Sequence, residues 1–272
     1  MKSWRSKSQR NAGFAVAILA LWGLSPAVDP KTVVAAAVAT LTAERHGVTM
    51  NREHYAYGER GPGHNVRNER DELDLRKDGR LVAIRILSES NNGNPASADQ
   101  IAKDQAQDDR QLPADDYVLP TTASALSDYQ FSAGACTECP AGSEAIAFTS
   151  VVRDDSHGDG LVAIDLASKH VLWMQFSPSV MPSHVDSASV SMTFGRALPD
   201  LWDMLGEKSR YDGHMLFIHG YATVERTDSE YRRFASLDDG LRALHHDETS
   251  GRSGSGGSPP STNGRSFGAS HR

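Results

Sequence analysis

The chain is short of nearly everything from which an activity is usually read. It has only two cysteines, Cys136 and Cys139, in 272 residues. No second pair is there to complete a four-ligand zinc site, and no thiol is left over. Neither His-Glu-x-x-His nor Gly-x-Ser-x-Gly occurs, which removes two local signatures of metal-assisted and serine hydrolysis. No internal repeat is visible. The uninterrupted apolar run from Gly13 to Leu24 is too short to cross a bilayer comfortably, which takes about 20 residues. Positive charge is also scarce: 28 Lys and Arg face 35 Asp and Glu, a net charge of -7. Such a balance gives no electrostatic reason to bind nucleic acid, and anionic lipid headgroups would repel it.

What is present begins with an address. Lys2, Arg5, Lys7 and Arg10 precede the apolar run, and Ser25-Pro26-Ala27 follows it. This order predicts a cleaved export signal over 1–27, cut after Ala27, with an uncleaved anchor as the alternative. It implies a periplasmic or secreted protein, and two closely spaced cysteines suit an oxidising compartment. One globular domain is expected over 28–247. The tail over 248–272 is dominated by Gly and Ser, with Phe267 its only large apolar residue, and disorder is expected there.

Within the domain, Asp29-Pro30 opens a helix with Val34, Val38 and Leu41 on one face, closed near Gly47. Strands follow. Lys77-Asp78-Gly79 predicts a hairpin between Asn65–Leu75 and Arg80–Leu87. Asn91 to Pro95 is expected to be a loop. Ser97 with Gln100 begins a thin helix to about Asp108, whose only large apolar residue is Ile101. Leu112 to Ser124 is expected to be irregular. Strands are then expected over 128–133, 144–152, 160–166, 170–177 and 185–194. Pro199–Leu205 is expected to be a short helix closed by Gly206. Two more strands, 214–226 and 230–234, and a last helix from Leu237 to about His246 complete the pattern. Short connections imply antiparallel neighbours.

Cys136-Thr137-Glu138-Cys139 falls in a loop between two expected strands. A loop-tip disulfide is the leading reading, with a redox pair or half of a metal site as alternatives. The acidic turn Asp154–Gly160 reads as a solvated hairpin turn, since its spacing does not match a calcium loop. Histidines are scattered, and His214 and His219 are expected to flank one short strand on opposite faces. Val82, Ile84 and Ile86, with Val162, Ile164 and Leu166 and with Leu172, Met174 and Phe176, are expected to line one concave sheet surface. The alternative for that surface is an ordinary core covered by the first and last helices.

Gly158-Asp159-Gly160-Leu161-Val162-Ala163-Ile164-Asp165-Leu166, continuing through Lys169 to Phe176 and into Met181-Pro182, resembles the outer-membrane lipoprotein carrier superfamily, the LolA-like and LolB-like proteins. In organisation the resemblance spans about Lys31 to Leu244. It implies a mainly antiparallel α+β fold: a curved, unclosed, barrel-like sheet with helices packed on its concave side, sheltering acyl chains or other apolar ligands. The function expected is a non-enzymatic envelope protein that binds a lipid, an acyl chain or a lipidated protein, with no cofactor and no metal. The alternatives are an envelope interaction module with a filled core and an envelope protein partner, or a thiol-disulfide protein using Cys136 and Cys139.

Overall fold

Helix α1 (Pro30–Glu44) starts where Asp29 accepts a hydrogen bond from Thr32 N at 3.1 Å, with Pro30 in the first turn. The computed structural model describes residues 29–112, 117–215 and 218–250. The expected signal and almost all of the expected tail therefore lie outside the described residues. Val34, Ala37, Val38 and Leu41 form the buried stripe of α1. Gly47, at φ 103°, then reverses the chain into the first strand. Glu44 sits at the negative end of the helix dipole, where an acid is disfavoured. It is satisfied by the His170 ring at 2.9 Å and by Trp202 N at 2.8 Å.

The strands are β1 (Val48–Gly61), β2 (His64–Lys77), β3 (Arg80–Asn91), β4 (Asn94–Pro95), β5 (Tyr129–Ala133), β6 (Glu144–Ser150), β7 (Gly158–Asp165), β8 (His170–Pro178), β9 (Val185–Leu198), β10 (Leu201–Met215) and β11 (Ile218–Phe234). They form one open antiparallel sheet in the order β4-β3-β2-β1-β11-β10-β9-β8-β7-β6-β5. The first strand pairs with the last, which joins two meanders into a single sheet. Helix α2 (Ala98–Asp108) is capped by Ser97, and helix α3 (Leu237–Ser250) begins where Ser236 Oγ accepts from Asp239 N. The expected unclosed, mainly antiparallel sheet carrying a few helices is what the structure shows.

Asp78 and Gly79 both adopt positive φ, 53° and 78°, as a two-residue hairpin turn requires. Asn92 and Gly93 repeat this pair, so the loop expected over 91–95 is instead a second tight turn leading to β4. The helix expected at Pro199–Leu205 is instead a turn at Pro199–Asp200 followed by the start of β10. Its apolar spacing suits either period, and the ladder pairing Trp202 with Arg196 and Met204 with Phe194 decides. The two strands expected after His214 are the end of β10 and one long β11, in which Glu230 (φ 53°) and Tyr231 form a bulge opposite Asn51 of β1. His214 and His219 are therefore cross-strand partners on one face, with ring centroids 5.8 Å apart.

Ladder register assigns the faces. Val162, Met174, Met192, Glu207, Arg226, Tyr55 and Arg70 share one face, through pairs that run unbroken from β7 to β2, and Glu53 and Glu72, two residues along β1 and β2, lie on the same face. On the β5–β9 side that face is apolar and packs against α1. On the β1, β2, β10 and β11 side it is charged. Met50, Leu73 and Leu75 point the other way, where Leu237, Leu241 and Leu244 of α3 cover them.

Candidate functional site

The apolar half of the α1 face is closed. Val162, Ile164, Met174 and Phe176 are each at most 2% exposed and pack with Val34, Ala37 and Val38. A register shift between Ala163 and Ile164 brings Val171 into this cluster and leaves Leu172 half-buried outside it. Leu166, just past the end of β7, is 49% exposed. Gly158 and Gly160 let Phe176 approach closely, since a Cβ on Gly160 would lie 2.0 Å from Gln175 O. Of the residues expected to line one surface, the structure thus gathers four into a closed core.

The charged half is also filled. Glu53, Glu72, Asp74 and Asp228 are all buried. Arg226 lies 2.6 Å from Glu53, Arg76 lies 2.6 Å from Asp74, and Arg70 lies 2.7 Å from Glu72. Asn51 Nδ2 donates to Asp228 at 2.8 Å. Burial pushes the Glu53 and Glu72 carboxyls upward against the pull of Arg226 and Arg70. Burial likewise lifts Asp228 to about 6, with Arg226 opposing. One oxygen from each of Glu53, Glu72 and Asp74 lies within 4.8 Å of the others, a spacing that could hold a cation. The guanidinium groups already lodged there supply the positive charge, so the cluster is an internally paired ionic core.

The open space lies elsewhere. A cavity of about 1540 Å³ wraps the exposed edge of β3, between α2 and α3. Val82, Ile84 and Ile86 line it, so the three β3 residues expected at an apolar surface do meet there. Leu73, Leu241 and Leu244 contribute from the α3 side. Ala98, Ile101, Ala102 and Ala106 contribute from α2, a helix with no buried residue of its own. Charge is confined to a few side chains, among them Arg52, Arg85 and Arg232, with Glu230 and Asp109.

Two polar clamps hold α2 in place. Gln105 Nε2 donates to Ile84 O at 2.9 Å, and Gln105 Oε1 accepts from Ile86 N at 2.8 Å. Its carboxamide so replaces a strand along the part of β3 that two-residue β4 does not reach. Asp108 accepts from Arg70, which ties the last turn of α2 to β2. The sequence showed α2 as a thin helix with Ile101 as its only large apolar residue, but gave no sign that Gln105 would seal an edge.

Cys136 and Cys139 form a disulfide in the loop between β5 and β6. That loop leads into a strand, so the helix dipole that activates a redox cysteine is missing from it.

No family model and no curated sequence matches the chain. Several solved structures do. The chain resembles a LolA-like fold. A LolA superfamily protein from Nitrosomonas europaea aligns over 78% of this chain and 97% of its own, at 8% identity and a TM-score of 0.32. A DUF1329 family protein from Desulfovibrio piger aligns over 79% and 99%, at 9% identity and a TM-score of 0.39. MucB in complex with MucA(peri) aligns over 76% and 100%, at 10% identity and a TM-score of 0.23. The likeness concerns the fold alone, and the functional reading is built on the cavity.

Proposed function

We propose that this is an exported, non-enzymatic protein that binds an apolar ligand, such as a lipid, an acyl chain or a lipidated protein, in the cavity between α2, β3 and α3. The observation that carries this reading is the cavity's volume, about 1540 Å³, walled by Ile84, Ile86, Ile101, Leu241 and Leu244. Ligand sites are concave and mostly apolar, with a few placed polar groups. The ligand class rests on the wall chemistry. Export is supported by the basic-then-apolar opening of the sequence and by the Cys136–Cys139 disulfide. An exported chain would reside in the periplasm or outside the cell.

The test is displacement of a fluorescent fatty acid by palmitate. Ala102→Trp fills the α2 wall and is expected to weaken binding at least about tenfold, a loss of about 1.4 kcal/mol, at unchanged thermal stability. Val162→Ala, in the closed core, is expected to lower stability and leave affinity alone. Equal affinity in Ala102→Trp would remove the cavity as the site.

A second reading has its own support. The face under α1 is closed by apolar packing on one half and by ion pairs on the other. A protein with so filled an interior can act through its surface, as an interaction module.

A further inference from the structure

Among the described residues, most of the strongly exposed large apolar side chains fall on three neighbouring segments. Val118 (38%), Val151 (53%), Val152 (37%), Val180 (45%) and Met181 (36%) lie on three segments: 117–118, the β6–β7 connection and the β8–β9 connection. Hydrogen bonds knit these segments together. Val118 N donates to Ser156 O at 2.9 Å, Val180 N to Asp154 O at 3.0 Å, and Ser179 N to His157 O at 2.6 Å. Buried Ser179 also donates to Asp154 O at 2.8 Å, and Asp154 N donates back to Ser179 Oγ at 3.1 Å. These segments thus make a braced platform rather than loose loop tips, and exposed apolar side chains gathered on such a platform suit an interaction site.

Beside it opens a cleft of about 400 Å³. Tyr117, Tyr211, Pro178 and Pro182 form its walls, with Asp155 and Ser156. A carboxylate among aromatic and proline surfaces suits the long aliphatic stem and cationic head of a lysine or arginine. The surroundings carry the same sign. Asp154 lies on the β6–β7 connection, and Asp128, just before β5, and Asp159, at the start of β7, adjoin it. The basic counterparts are Arg153, 2.7 Å from Asp159, and His157, 2.8 Å from Asp154 and 3.7 Å from Asp128. An anionic membrane would be repelled here, whereas a basic segment would be drawn in.

We infer that this rim is a docking surface for a polypeptide segment of a partner protein, one that places a lysine or arginine in the Tyr117–Tyr211–Asp155 cleft and branched apolar side chains over Val180, Met181 and Val151. The surface is separate from the α2–β3–α3 cavity and does not depend on the lipid reading.

Fluorescence anisotropy of the full exported chain tests it, with a labelled dodecapeptide of alternating Lys and Leu as probe. The Glu-Leu counterpart is expected to bind at least about tenfold more weakly. Asp155→Asn and the double change Val180→Ser, Met181→Ser are each expected to cost about fivefold or more at unchanged melting temperature. Glu225→Gln, an exposed acid on β11, controls for overall charge and is expected to change nothing. The inference is overturned if neither peptide binds or the Glu-Leu peptide binds equally. It also fails if Glu225→Gln weakens binding as much as Asp155→Asn, if the Val180/Met181 change has no effect, or if phosphatidylglycerol vesicles bind more tightly than the Lys-Leu peptide.

Discussion

Asp228 shows what burial does to a single acid in this protein. Its carboxyl rises from 3.8 to about 6 because water is withdrawn from it, and Arg226 recovers only part of that loss. Between these values the folded chain holds a proton that the unfolded chain has released. Stability from this residue is therefore greatest below pH about 4 and is lost as pH rises towards 6, by up to about 3 kcal/mol. Asp228→Asn keeps the acceptor for Asn51 and cannot ionise. Chemical denaturation from pH 4 to 7 is expected to show a flatter profile for it than for the parent. An unchanged slope would mean that Asp228 is not the titrating group. Gly160 makes a second point at this scale. A Cβ there would meet the backbone of Gln175 and Phe176 at 2.0 and 2.7 Å. Gly160→Ala is thus expected to cost about 3 kcal/mol in urea unfolding. A cost under about 0.5 kcal/mol would show that β7 and β8 can part freely.

Among the elements, α2 is the one held by polar contacts in place of a core. It has no buried residue, and Gln105 and Asp108 supply its clamps. Gln105→Ala removes both hydrogen bonds to β3, together with the one to Asp109, and uncovers the Ile86 amide. Hydrogen exchange is expected to quicken over 98–108 and at Ile86, by the equivalent of about 1–2 kcal/mol, with little change in the global melting temperature. Uniform slowing or no change would refute the clamp. Elements with a clear local signature were legible in the sequence. The Asp29-Pro30 start, the Asp78-Gly79 turn and the Ser97 cap are local chemistry, and each appears where the residues place it. Leu201–Leu205 was misread because its apolar spacing fits both periods, and pairing with β9, a long-range fact, settles it. The continuity of β11 was hidden for the same reason: Glu230 looks like a break until its bulge is seen against β1.

At the scale of the whole molecule, the sheet divides its labour. One face is filled by α1 on one half and by paired charges on the other, and the free volume lies at the β3 edge under α2 and beside α3. Sequence periodicity identified apolar strand faces correctly as apolar. It could not tell which would be covered, because coverage depends on where helices land. Val162 and Ile84 look alike in their strands, yet Val162 sits beneath α1 while Ile84 borders the cavity. The charged interior has no local signature: Glu53, Glu72 and Asp228 lie on three separate strands that only the fold brings together around Arg226. The central claim is that the edge cavity holds an apolar ligand. Native mass spectrometry of the full-length protein, followed by organic extraction of whatever leaves on denaturation, tests it most directly. The account predicts a discrete lipid-sized adduct, or one acquired on adding fatty acid or phospholipid, and its loss in Ala102→Trp. A ligand-free mass that stays unchanged with both lipids present would contradict it.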